Sequence, residues 1–385
     1  MKDENGNDIV FEQHLKCIAK SHPLFQEFRL WQFVQNLKIY QREKEVNGKL
    51  CTDVDVTSDF IKTEDDIVAI FEWLNDRKEI DQKEFLKFPQ FGLKKDLAKY
   101  RWNYVEDKKY PCNEFRSLIS SKFKNIGINI KFLNNNASKE LHNILSSKSD
   151  KLNIKSKLTQ YAKEYSLPKT FVDKFLNLTY EKNRALFSYP FKNNKTEIRL
   201  LTCDVEESLW HTLYSVNVLL EIKSALAKLA KKYSLPDNFI DEFSKISRFK
   251  KEYGAYSAKA IRKLLSLMRV GKYWSEEDID NNTKERIDKI VNAEYDENIS
   301  IRVREKADEL HNISQFRCLP SWLACYIVYG RHSEAKEITK WEKPEDIDEF
   351  LKKFKQHSLR NPIVEQIVLE TLRTVRDIWK QVGRI

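Results

Sequence analysis

Apolar side chains recur along much of this chain at spacings of three and four, the period of a helix with one buried face. From Pro23, Leu24, Phe28, Trp31 and Val34 share one face while Arg29 and Lys38 lie elsewhere. Proline in the first turn marks that helix's start, and Trp31, on the stripe, reads as a core anchor rather than a platform for stacked bases. Thr63 caps a second helix. Glu64, Asp65 and Asp66 fill its first turn, where the dipole favours anions, and Ile67, Ile70, Phe71 and Leu74 form its buried face. The sharpest pattern is EYGAYSAKAIRKLLSLMRVGKYW, residues 252–274. Ser257 caps this helix, and Ile261, Leu264, Leu265 and Met268 line one side. Lys259, Arg262, Lys263 and Arg269 line the other, and Tyr253, Tyr256, Tyr273 and Trp274 bracket it. Pro344 opens a further helix with Ile347, Phe350, Leu351 and Phe354 inside. Asn361 caps a last one begun by Pro362, with Ile363, Ile367, Val375 and Trp379 inside.

Between the helices the pattern changes. Asn47-Gly48 between short polar segments predicts a β-hairpin. TEIRLLTCDV, residues 196–205, alternates like a strand. Residues 121–157 are rich in Asn, Ser and Lys; NASKELHNIL reads as a short capped helix and its surroundings as linker or surface insertion. LTQYAKEYSLPKTFVDKFLNL at 158–178 is echoed by LAKLAKKYSLPDNFIDEFSKI at 226–246, 68 residues on, as two similar helical corners. The acidic run Glu276, Glu277, Asp278 and Asp280 starts another helix, and Ile287, Ile290, Val291, Val303 and Leu310 are scattered core points beyond it.

Composition narrows the class. A chain of 385 residues with 41% hydrophobic content has room for proper cores, which argues against global disorder. Only 8 glycines occur, where average usage of about 7% would supply roughly 27. That scarcity disfavours glycine-rich phosphate loops and many-stranded β folds, so the fold is expected to be mainly α. A net charge of +10 raises the local concentration of polyanions and suits binding to phosphate backbones, although charge alone names no site. Cysteines 17, 51, 112, 203, 318 and 325 form no tight pairs, a pattern for reduced thiols in the cytoplasm. The longest apolar patch, WLACYIVY at 322–329, is far too short to span a membrane.

The segment KYRWNYVEDKKYPC, 99–112, interleaves Arg101, Lys108 and Lys109 with Tyr100, Trp102, Tyr104 and Tyr110. Such a mixture suits stacked, unpaired RNA bases, and equally a loop packed on its own aromatics. No catalytic constellation stands out. His211 with Asn217 is the nearest approach to a histidine nuclease site, on a helix among core residues. His311, Cys318 and Cys325 are spaced too widely for a zinc knuckle. Nucleophile elbows are absent as well.

Several stretches, in order, resemble segments of the type II CRISPR effector, the single-chain RNA-guided DNA endonuclease of the Cas-nine family, most like its compact subtype C. HPLFQEFRLWQFVQNLKIY, 22–40, resembles the helix after that family's first recognition region. EESLWHTLYSV and residues 252–274 resemble other segments of its recognition lobe. SLRNPIVEQIVLETLRTVRDIWKQVGRI, 358–385, resembles the helix before the second strand motif of its RuvC-type nuclease. The likeness covers almost the whole chain, with no matching motif between about residues 120 and 200. It implies an elongated multi-helix recognition lobe with one small β-hairpin. The expected divisions are a polar leader at 1–20, a helical subdomain at 21–120, a linker at 121–157, a central helical subdomain at 158–357 and a helix toward a nuclease segment at 358–385.

By the same resemblance the parent cleaves DNA with Mg2+, as antiviral defence. This lobe would grip guide RNA (crRNA with tracrRNA) and the target DNA strand as a heteroduplex, through backbone shape and charge, beside the remaining nuclease portions. The family's arginine-rich bridge helix, first RuvC-type strand and PAM-reading domain are not seen. The chain therefore reads as a cytoplasmic lobe without either nuclease centre, needing no cofactor and no metal of its own. The residues expected to contact nucleic acid are Arg101, Lys259, Arg262, Lys263, Arg269, Lys272, Arg360 and Asn361; the last two sit at a helix N-terminus suited to phosphate. The competing readings are a helical scaffold that docks on a nuclease partner, and a nuclease that is still active.

Overall fold

A computed structural model describes residues 17–93, 96–178, 185–193, 196–216, 218–247, 249–294, 307, 310–329, 341, 343–354 and 362–382. The fold is mainly α, with small sheets of two or three strands. Backbone contacts divide the chain into two units, Met1–Gly330 and Arg331–Ile385.

The first unit opens on α1 (Pro23–Gln35), whose N-cap His22 accepts at Nδ1 from the Leu24 N–H, 3.1 Å away. Strands β1 (Ile39–Val46) and β2 (Lys49–Asp55) form the expected hairpin. Its turn residues Asn47 and Gly48 both have positive φ, 53° and 75°, as a two-residue turn matched to strand twist requires. After the single turn α2 (Thr57–Phe60) comes α3 (Glu64–Asn75). Thr63 and Asp66 make its reciprocal capping box, so the acidic trio serves the helix end. Strand β3 (Glu79–Ile80), the turn α4 (Gln82–Phe85), β4 (Tyr100–Trp102) and β5 (Tyr110–Pro111) lead into α5 (Glu114–Asn125). Strand β4 joins the hairpin on its β1 side. Trp31 is fully buried and stacks on Phe71 of α3, ring centres 4.0 Å apart, with Tyr273 edge-on to both. It is the core anchor the stripe implied.

The YSLP echo turns out to be the visible part of a longer duplication. The first copy runs β6 (Ile128–Leu133), α6 (Asn135–Ser146), α7 (Lys151–Glu164) and α8 (Lys169–Leu176). After the short strand β7 (Phe191–Asn193), the second runs β8 (Thr196–Thr202), α9 (Cys203–Ser215), α10 (Leu219–Tyr233) and α11 (Asn238–Ser244). Helices α6 and α9 begin 68 residues apart, as do α7 and α10, the spacing of the echo. At the YSLP corners Ser166 and Ser234 are both left-handed, φ 51° and 52°. Leu167 and Leu235 then close matching bonds to the Ala162 and Ala230 carbonyls.

Strands β6 and β8 pair in parallel, and their partners are 69 residues apart (Ile128 with Glu197), one more than the repeat. A shift of one residue turns equivalent side chains to opposite faces of a sheet. Accordingly Leu133, Ile198 and Leu200 join the core of the first copy's helices, while Ile128 and Leu201 join that of the second. Residues 121–157, read from composition as linker around one capped helix, thus supply a sheet strand; the capped helix itself is α6, with Asn134 accepting from the Ala137 N–H at 2.8 Å.

Helix α12 (Ala258–Met268) follows, capped by Ser257 as expected. Ile261, Leu264, Leu265, Leu267 and Met268 are fully buried. Gly254 lies just upstream where a Cβ would come within 2.5 Å of the Phe25 ring. Asp280 caps α13 (Asn281–Val291), and α14 (Ser321–Tyr329) packs on α12 and α13. Val303 lies outside the described residues.

In the second unit α15 (Pro344–Lys353) pairs with α16 (Pro362–Val382) through Asp348, which accepts from Arg376 at 2.7 Å and Lys380 at 2.9 Å. Ile347 is buried there, but Phe350, expected inside, is 37% exposed. The expected interior of α16 is likewise corrected: Ile363, Ile367 and Val375 are exposed and Trp379 is half-buried. Among the described residues of this unit, α15 is the one helix available to cover α16, and it covers one side.

Candidate nucleic-acid interface

The cations expected to face nucleic acid mostly face carboxylates of the same chain. Arg262 forks both oxygens of Glu207 on α9, at 2.9 and 3.0 Å. Lys263 reaches Asp280 at 3.0 Å, and Lys272 reaches Glu72 of α3 at 2.5 Å. Arg269, just past the end of α12, donates to both oxygens of Glu27 on α1, at 2.8 and 3.0 Å, with 12% of its side chain exposed. Burial alone would lower the guanidinium's pKa, but the Glu27 carboxylate outweighs it and holds it above the usual range. Lys259, in the first turn of α12, is exposed and makes no ion pair among the described residues. The cationic stripe is therefore not one open surface. A polyanion arriving at Arg262, Lys263, Arg269 or Lys272 competes with a carboxylate already in place, and at Arg269 the competition is buried.

Arg101 sits on the hairpin sheet. It donates from Nε to Asp53 at 2.7 Å and lies 4.7 Å over the Tyr40 ring. The aromatics around it are consumed by packing: Trp102 is fully buried against Phe85, and Tyr104 stacks on Phe33 at 4.5 Å. The Tyr104 hydroxyl donates to the Phe33 carbonyl, and Tyr110 accepts from the Val105 N–H. The rings of 99–112 pack on one another and on neighbouring aromatics. Arg360 and Asn361 lie outside the described residues.

Beneath the α12 cations is a cavity of about 280 Å³, bordered by Asn135 and Cys203, which follow β6 and β8. Arg116 of α5 crosses it to fork Glu206 of α9 at 3.2 and 3.0 Å, with the guanidinium 3.4 Å from the Phe132 ring centre. Both charges of that pair are buried, and Glu27 and Arg269 nearby are only 14% and 12% exposed. The cavity wall thus holds three internally neutralised ion pairs, tying α5 to α9, α1 to the end of α12, and α12 to α9. His22, also buried, has its pKa lowered to about 4 by burial first, then by His211 and Arg262.

Two other helices carry several cations that no carboxylate neutralises among the described residues. Lys151, Lys155, Lys157 and Lys163 of α7 are exposed without an ion-pair partner among the described residues, and so are Lys228, Lys231 and Lys232 of α10. Helices α7 and α10 hold equivalent places in the two copies of the duplicated module. The signal was present as lysine density, but α7 begins in a stretch that reads as linker, so its composition assigns it no helical face.

His211 lies edge-on to Trp210 at 5.1 Å, and Asn217 falls outside the described residues. Among the described residues no three His, Cys, Asp or Glu side chains are placed to hold a metal ion, no helix is long and apolar enough to cross a membrane, and the cysteines are free thiols. No protein-family model matches the chain, and no curated protein matches it.

Proposed function

We propose that this chain binds RNA by its phosphate backbone, as the guide-holding recognition lobe of an RNA-guided DNA endonuclease like those of the Cas-nine family, and performs no chemistry itself. Guide RNA paired with target DNA is the ligand class, recognised by groove shape and charge. The observation that supports this reading is the set of uncompensated lysines on α7 and α10, in a chain of net charge +10. On these helices the lysines face solvent with no ion-pair partner among the described residues, and there they release counterions on meeting phosphate. Lys259 belongs with them by the same criterion.

The test is fluorescence anisotropy with a guide-like hairpin RNA across a salt series. The native chain is expected to bind with log affinity falling steeply against log salt. Replacing Lys151, Lys155, Lys157 and Lys163 by Gln should flatten the slope by about 3, at roughly 0.7–0.9 for each phosphate no longer neutralised. No RNA binding even in dilute buffer would sink the reading. An unchanged slope would remove α7 from the interface. A second reading, a scaffold that docks on a nuclease partner, is favoured by the exposed apolar positions Ile367, Ile378 and Val382 of α16, and it predicts a partner complex with no RNA affinity.

A further inference from the structure

The two copies of the duplicated module differ at one chemically telling place. In the second copy Arg199 of β8 is 3% exposed and reaches its own YSLP corner. Its guanidinium donates to the carbonyls of Tyr233 at 2.6 Å, Ser234 at 2.8 Å and Phe187 at 3.2 Å, and its Nε donates to Glu197. A planar fork of donors thus satisfies carbonyls left open at the end of α10. The residue 68 positions earlier is Lys131 of β6, which shares a sheet face with Leu133 and so lies on the side of its own helices, as Arg199 does.

Lys131 does not repeat the contact. It is exposed and makes no hydrogen bond or ion pair among the described residues. Where the guanidinium sits in the second copy, the first has a cavity of about 270 Å³ bordered by Lys131, Tyr165, Ser166, Asp76 and Glu164. No hydrogen bond among the described residues reaches the carbonyls of Tyr165 or Ser166, the counterparts of those Arg199 binds. The charges around the cavity leave it receptive to a cation. Arg116 is matched by Glu206 and Lys272 by Glu72, so Asp76 and Glu164 stand against Lys131 alone.

We propose that this cavity is a guanidinium-recognition site that takes an arginine side chain from a partner polypeptide. The corner carbonyls would accept a bidentate fork, the carboxylates would supply the counter-charge, and the Tyr165 ring would flank the cation. An ammonium group lacks the planar fork that two adjacent carbonyls match; Lys272, whose ammonium borders the cavity 5.6 Å from the Tyr165 ring centre, makes no hydrogen bond to either carbonyl among the described residues. A metal ion would need more converging oxygen or nitrogen side chains than the described residues bring together. The inference rests on the internal repeat and not on the RNA reading.

Calorimetric titration with the tripeptides Gly-Arg-Gly and Gly-Lys-Gly tests it. The arginine peptide should bind saturably and at least tenfold more tightly than the lysine peptide. Asp76→Asn should weaken arginine binding about tenfold. Lys131→Arg should plug the site from within, abolishing peptide binding while raising Tm, because the new side chain would do for α7 what Arg199 does for α10. Equal affinity for the two peptides, no binding at all, or binding that survives Lys131→Arg in a folded protein would each overturn the proposal.

Discussion

Glu27 of α1 and Arg269 at the end of α12 face each other through two hydrogen bonds, 2.8 and 3.0 Å, with Trp31 donating to the same carboxylate at 3.3 Å. Burial raises the Glu27 carboxyl, yet the Arg269 guanidinium outweighs that and keeps it ionised below the usual carboxylate range. Removing one partner strands the other charge where water hardly reaches. Glu27→Gln should therefore cost about 3 kcal/mol in urea unfolding. Adding Arg269→Gln should recover part of the loss, giving a coupling of at least about 1 kcal/mol in the double-mutant cycle. Coupling near zero would show that the pair is decorative.

His22 carries the clearest pH dependence. Its folded pKa is about 4, against 6.5 for the free imidazole. Between those values the unfolded chain holds more protons, so stability is complete above pH about 6.5 and declines as pH falls toward 4, by on the order of 3 kcal/mol in all. Asparagine keeps an acceptor for the Leu24 N–H and does not titrate. In His22→Asn, denaturation midpoints between pH 6.5 and 4.5 should lose most of their slope. The native slope persisting in the variant would assign the titration elsewhere.

What could be read in advance was whatever a few neighbouring residues decide. The Ser257 and Thr63 caps, the Asn47-Gly48 turn and the apolar face of α12 depend on spacing and local hydrogen bonds. Strand β6 escaped because Ile128–Leu133 holds exposed Asn129 and Lys131 within a polar stretch, and its pairing partner lies 69 residues away. Of the expected stripe, Lys259, Arg262 and Lys263 lie on α12 and Arg269 just past its end, but nothing in their spacing shows that Glu207 and Glu27 fold against them. Distant carboxylates decide whether a lysine or arginine is available to a ligand, and that is a tertiary property.

Gly254 is held by approach rather than by backbone angle. Its N–H donates to the Ile18 carbonyl at 2.8 Å, and a Cβ would meet Phe25 Cε2 at 2.5 Å, well inside contact distance. Gly254→Ala must push aside an aromatic ring of α1, so a loss of about 1–3 kcal/mol is expected by thermal unfolding. Adding Phe25→Leu, which removes the ring, should relieve most of it. If the alanine variant is as stable as the native protein, the strand-like contact at Ala19 and Tyr253 is looser than the structure shows.

The equivalence of the two module copies can be tested at their corners. Ser166 and Ser234 each hold a left-handed backbone that an L side chain adopts only with strain, while each N–H donates back into the preceding helix, to Lys163 and Ala230. Glycine suits that conformation and is the usual residue after a helix's last turn. Ser166→Gly and Ser234→Gly should therefore each stabilise the protein by about 0.5–1 kcal/mol, the relief of strain exceeding glycine's entropic cost. Valine should destabilise both, because β-branching crowds the left-handed region further. The two sites should respond alike despite their different surroundings, Ser234 beneath the Arg199 guanidinium and Ser166 beside open space. Opposite signs at the two corners would mean that the shared sequence hides different backbone energetics, and the copies would no longer serve as references for each other.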